Sequence, residues 1–95
     1  MAEPNIINDE GESGGRFHVT VDGHEAEMTY SKAGAGIIII DHTGVPEALG
    51  GQGIGQKLVE AGIAFARERG LKIMPLCPFA KAQFDKHPEW KDVLR

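Results

Sequence analysis

Gly50-Gly51-Gln52-Gly53-Ile54-Gly55 marks the point at which the hydrophobic period of this chain changes. Before it, apolar residues alternate in runs, as on half-buried strands. After it, small or apolar residues at Ile54, Leu58, Ala61, Gly62 and Phe65 fall on one side of a helix predicted from Gly53 to Arg69. Gly70 suits the left-handed position that closes such a helix. Gly51, Gly53 and Gly55 therefore stand in a turn at a helix start. There the first backbone N–H groups lack intrahelical partners, and the helix dipole adds positive potential. Glycines tolerate the dihedrals of such a turn and let the phosphates of a ligand approach the backbone. The stretch reads as a pyrophosphate-binding turn formed by Gly51, Gln52, Gly53, Ile54, Gly55 and Gln56, with Lys57 adding charge one turn into the helix. A glycine-rich strand–helix connection that binds nothing is the competing reading of the glycines alone.

Upstream, Arg16 to Val21 alternates Phe17, Val19 and Val21 against Arg16, His18 and Thr20, and Asp22-Gly23 is a strong hairpin signal. His24 to Ser31 alternates again through Ala26, Met28 and Tyr30. After Ala33-Gly34-Ala35-Gly36, the run Ile37-Ile38-Ile39-Ile40 opens a strand reaching about Val45, predicted to be buried on both faces. Residues 1 to 15 are polar and glycine-rich, and are predicted to be a flexible N-terminal arm in which Ile6-Ile7 adds a short edge strand at most. Residues 16 to 95 form the single domain.

Downstream, Leu71 to Leu76 reads as a strand returning beside the Ile37 strand in a right-handed βαβ unit. Pro75 cannot donate to a ladder, so the pairing is expected to bulge or separate there. Pro78 to Lys86 forms a short second helix with proline at its first position, ended by His87-Pro88. Trp90, Val93 and Leu94 pack the tail onto the core. An antiparallel meander followed by α, β, α is an α+β fold.

The 95 residues suit one domain, and 41% hydrophobic with 25% charged residues is ordinary for a globular protein. A net charge of -4 argues against a nucleic-acid partner. No apolar run approaches the ~20 residues that cross a membrane, and Met1-Ala2-Glu3-Pro4 does not open a signal peptide. A cytoplasmic protein is expected. Gly55-Gln56-Lys57 lacks the Gly-Lys-Ser/Thr ending of a Walker loop. A dinucleotide fold would place its loop near the N-terminus, after a parallel strand.

Asp41-His42-Thr43-Gly44-Val45-Pro46, Gly51-Gln52-Gly53-Ile54-Gly55, and Pro75-Leu76-Cys77-Pro78-Phe79 with His87-Pro88-Glu89-Trp90 together resemble the minimal, single-domain GCN5-related N-acetyltransferase (GNAT)-like proteins. The resemblance spans about residues 16 to 94. It implies a mixed, mostly antiparallel sheet with a V-shaped splay and two helices. It also implies acetyl-CoA as acyl donor, Val45 backbone pairing with the pantetheine arm, and an amine acceptor that the sequence does not identify. Two departures stand out. Gly50 replaces the Arg or Gln usual in the broader family, and Gly44 replaces an acid usual in its minimal members.

Cys77 and His42 are the candidate catalytic residues. Cys77 precedes a helix, whose free N–H groups would favour its thiolate; a thiolate could carry the acetyl group before passing it on. The resemblance places this cysteine near the thioester, but a small buried space-filler is an equal reading. His42 suits a general base titrating near neutrality, or a structural histidine. His18 and His24 are expected to be exposed, and His87 to cap its helix or contact the surface. No spacing suggests a metal site. Direct transfer, transfer through Cys77, and a CoA-binding module with little catalysis all stay open, as does an interaction protein with merely structural glycines.

Overall fold

The computed structural model describes residues 5–95. Five strands lie in the order β1 (Ile7–Glu10), β2 (Gly14–Val21), β3 (His24–Lys32), β4 (Ile37–Gly44) and β5 (Lys72–Pro75). The first four are antiparallel neighbours, and β5 runs parallel to β4. Helix α1 (Ile54–Arg69) makes the crossover and α2 (Pro78–Lys86) follows β5, with short 3-10 turns at Glu47–Leu49 and Pro88–Val93. This is the mixed, mostly antiparallel α+β architecture expected. Among the described residues, no helix is long and apolar enough to cross a membrane.

The core lies on one face of the sheet. Phe17 and Val19 of β2, Ala26, Met28 and Tyr30 of β3, Ile38 and Ile40 of β4, and Ile73 of β5 point to it. Helix α1 buries Ile54, Leu58, Val59, Gly62, Ile63 and Ala66 against them. The buried stripe is thus rotated slightly from the sequence expectation: Ala61 and Phe65 lie on its rim. Phe65 closes one end of the core, with its ring 5.8 Å from both Phe17 and Tyr30. Ile37 and Ile39 are only half-buried, against the expectation of burial on both faces of β4. The reason is that the helices packed on the sheet stand on the Ile38 side, so the four-isoleucine run alternates after all.

The flexible arm expected over residues 1–15 is a second correction from Ile7 onward; residues 1–4 lie outside the described residues. Ile7 to Glu10 pairs with Gly15 to His18, and β2 already begins at Gly14. Gly14 and Gly15 are therefore strand glycines rather than turn glycines. A Cβ on Gly14 would meet the carbonyl oxygen of Tyr30, and one on Gly15 would come within 2.5 Å of Asp9 O and 2.8 Å of Tyr30 Oη. Tyr30 Oη also donates to Asn8 Oδ1 at 2.8 Å. His18, expected to be exposed, is largely covered, with 14% of its side chain accessible and Nε2 at 2.6 Å from Asp9 Oδ2.

Glu10 anchors the end of β1. Its carboxylate takes Arg69 Nη2 at 2.8 Å and Lys32 Nζ at 2.7 Å, tying the strand to the end of α1 and to β3. The hydrogen bond from Arg69, then that from Lys32, holds the Glu10 carboxyl below its ordinary value of 4.5. A depressed carboxyl stabilises the docked strand above its unfolded value and ceases to do so as pH falls through the lowered one. We expect the NMR amide shifts of Ile7 to Glu10 to titrate together below pH 4.5 in the native protein and to lose that step in Glu10→Gln. Shifts that stay flat until global unfolding would exclude this acid-labile anchor.

Candidate functional site

Strand β4 is interrupted at Asp41. Tyr30 pairs with Ile40 and Thr29 with His42, leaving Asp41 as an extra residue, a β-bulge. Because Thr29 faces away from the core, Asp41 and His42 both project from the outer face, while Thr43, opposite Met28, turns to the core face. Asp41 accepts a hydrogen bond from Ser31 Oγ at 2.6 Å. On the other edge of β4, pairing with β5 ends where Ile40 meets Pro75. Ile40 O then accepts from both Leu76 N (3.2 Å) and Cys77 N (3.1 Å), and the chains part. Proline thus ends the ladder as expected, and β4 runs on from Asp41 to Gly44 without β5 beside it. That is the V-shaped splay.

The glycine turn lies beyond the open end of β4. Gly51 (φ 79°) and Gly53 (φ 73°) are left-handed, and a Cβ at either would meet no atom within 4 Å. Their side of the turn is open room. Gly53 is the N-cap of α1 and no side chain caps the helix. The helical ladder starts with Lys57 N donating to Gly53 O at 3.1 Å. The N–H groups of Ile54, Gly55 and Gln56 consequently have no intrahelical acceptor. Gly55 has a different role from the one its sequence position suggested. A Cβ there would stand 2.6 Å from Phe79 Cζ, so this glycine admits the α2 ring against α1.

A cleft of about 300 Å³ runs between these elements. Val45, Gly51, Gly53, Ile54, Gly55 and Gln56 line it, as do Leu49, Gly50, Phe79 and Gln83. Six of the eight predicted cofactor residues are thus gathered around one cavity, and Gln52 and Lys57 stand outside its lining. Phe79 and Gln83 escaped the sequence reading. Their i,i+4 spacing was visible, but nothing in the sequence said which face of α2 would meet the turn. Gly50, read as a gap, contributes wall all the same.

Cys77 occupies the N-cap of α2 and is 5% exposed. It is not part of the cleft lining, but it is close along the chain to residues that are: its Sγ is 3.5 Å from the hydroxyl of Thr43, which lies two residues before Val45, and Phe79 follows two residues later. Burial opposes ionisation of the thiol. The Thr43 hydroxyl, followed by the amides of Ala80, Phe79 and Thr43, outweighs that burial and holds the thiol below its ordinary value. No capping hydrogen bond is formed by the side chain, so the α2 amides act mainly as dipoles aimed at sulfur. His42 is exposed on the opposite face of β4, so the structure does not join it to Cys77. A Cβ on Gly44 would lie 3.1 Å from His42 Nε2, which marks the place where the acid usual in this resemblance would meet the imidazole. His87 caps α2 through its N–H to Phe84 O and stacks on Trp90 at 4.1 Å.

The family profile described as GCN5-related N-acetyl-transferase matches residues 16–93 of the sequence. The chain belongs to this family. The fold is similar to the solution structure of a GCN5-like protein from Staphylococcus aureus, with a TM-score of 0.75 and 40% identity. That likeness covers 100% of this chain and 91% of the other. No curated protein matches the sequence significantly. The glycine turn lines the cleft, and so does Val45, the residue that follows the unpaired end of β4.

Proposed function

We propose that the protein binds acetyl-CoA in this cleft and transfers the acetyl group to an amine. The observation that carries the reading is the array of free α1 amides behind two left-handed glycines, opening onto the same cavity as Val45. The residues present fit the cofactor. The turn offers backbone donors and room for a pyrophosphate, and the cleft walls of Val45, Leu49, Ile54 and Phe79 are apolar enough for an extended arm. When bound, acetyl-CoA would supply a thioester as the acyl donor.

The chain's own groups divide by face. On the outer face, His42 can take the proton of an amine arriving from solvent, and free backbone along β4 beyond Ile40 can orient the donor. On the inner face, Cys77 offers a thiol biased towards thiolate but enclosed. Acetyl transfer to Cys77 would form an S-acetyl bond as the carbon–sulfur bond to CoA breaks, with CoA leaving as thiol. Since Cys77 and His42 do not form a couple, the direct and covalent routes are separate devices. The amine arrives from outside, so the direct route leads. A CoA-binding module with little catalysis is the second reading, favoured by Gly44, which stands beside His42 where the minimal members of the family usually carry an acid.

The decisive experiment is a screen of amine acceptors followed by release of free CoA, with intact-mass spectrometry after incubation with acetyl-CoA. We expect acceptor-dependent release that His42→Ala lowers about 100-fold, in the range general-base loss produces. Cys77→Ala is expected to retain it. A stable single-acetyl adduct that vanishes in Cys77→Ala, together with loss of turnover, would establish the covalent route instead. Release at the background rate with every amine would leave the binding module.

A further inference from the structure

We propose that Gln83 is a specificity residue of the cleft, exchanging hydrogen bonds through its side-chain amide with an amide of the pantetheine arm. This rests on the reading of the cleft as a CoA site. Gln83 Oε1 is buried without a hydrogen-bond partner, and Gln83 lines the cleft. A buried polar atom left unsatisfied is destabilising and rare in native proteins, so its position calls for a partner that enters from outside the fold.

The chemistry of that partner follows from the surroundings. Gln83 and Phe79 stand one turn apart on the same face of α2, and Gly55 lets the Phe79 ring settle against α1. The wall they form faces a cavity otherwise lined by glycine and aliphatic residues, with no charged side chain in its lining. The other polar lining residue, Gln56, already donates its Nε2 to Glu60 at 3.0 Å. A carboxamide set in such an apolar wall does not suit a second phosphate, which needs cations or several N–H donors. It does suit a chain of methylenes broken by amides. Such an amide carries both a donor and an acceptor, so the match holds for either orientation of the Gln83 carboxamide. The placement agrees with the turn, because an arm leaving the α1 amides towards the splay must pass between Val45 and the α2 wall. The cleft would then select donors built on an amide-containing arm over acetyl thioesters of simple thiols.

The test compares CoA and ADP as titrants of native protein, Gln83→Met and Gln83→Leu. Both substitutions remove the unpaired atom, so the unliganded variants should melt at or above the temperature of the native chain. CoA affinity should fall about tenfold, the effect of one lost hydrogen bond in a dry site, while ADP affinity, which reports the turn alone, should not change. Equal weakening of both titrants would overturn the proposal, because Gln83 would then act at the diphosphate end or through the fold. Unchanged CoA affinity in a folded variant would overturn it as well. If neither titrant bound the native protein, the cofactor reading itself would fall, a result distinct from loss in the variants alone.

Discussion

Acetyl-CoA at a hundredfold excess over its Kd is expected to stabilise the protein by about 2.7 kcal/mol. For a domain of this size that is a rise in Tm of roughly 10–20 °C. The rise should shrink to about half or less, at the same ligand concentration, in Gly53→Ala. That substitution has two separable effects. Gly53 sits at φ 73° with no atom within 4 Å of an added Cβ, so in the free protein only the left-handed backbone is penalised, by about 1–2 kcal/mol. In the complex the new methyl group would intrude where the phosphates approach the α1 amides, and affinity should fall by tenfold or more, on the order of 1.4 kcal/mol. Gly34 provides the control. It has the same φ of 73° and the same open surroundings, but lies in the turn between β3 and β4. Gly34→Ala should lower the Tm of the free protein similarly and leave the ligand-induced rise intact. Identical ligand responses in the two variants would show that the glycine turn is not the cradle. No rise in the native protein at millimolar cofactor would remove the cofactor from the account.

Met28→Ala is expected to be the most damaging single substitution in the sheet. Met28 is fully buried at the middle of β3, and its Cε approaches α1 at Gly62, where an added Cβ would stand 3.0 Å away. The side chain fills the closest approach of helix and sheet, so truncation leaves a cavity that neither element can readily close. Losses at such sites run to about 2–5 kcal/mol. Total stability is about 5–15 kcal/mol for ordinary domains, with small ones at the low end. Thr29, the next residue, faces the outer side, and Thr29→Ala should change stability by no more than about 0.5 kcal/mol. Urea denaturation of the pair measures the difference directly. Equal losses would contradict a core confined to one face.

Strands β2 to β5, both helices and the break at Pro75 were legible because each has a local cause: alternation, a helical stripe, a missing N–H. What the sequence hid was contact between distant segments. Gly14-Gly15 looks like a turn, yet these residues lack side chains because Tyr30 and Asp9 pass too close. Gly55 looks like a third phosphate glycine, yet its Cβ is excluded by Phe79, from a helix more than twenty residues away. The aliphatic run Ile37–Ile40 gives no sign of which face is open, since that depends on where the helices pack. The turn and Val45 could be assigned to a common site only through resemblance, and Gln83 needed the packed position of α2. The separation of His42 from Cys77 depended on the bulge at Asp41, for which the sequence Ile40-Asp41-His42-Thr43 carries no signal.

That bulge makes β4 a strand in two phases. Up to Ile40 the even-numbered residues look inward; from His42 onward the odd-numbered ones do. A deletion of Asp41 alone would bring the halves into one phase without breaking the sheet. Ile40 would stay inward, His42 outward and Thr43 inward, because the residue removed is the one without a partner on β3. Were Asp41 instead kept and drawn into the regular ladder, His42 would exchange faces with Thr43 and point towards Cys77. The bulge is therefore unlike an extra residue in a surface loop: one unpaired residue sets which side chains share a compartment with the thiol and which meet the solvent.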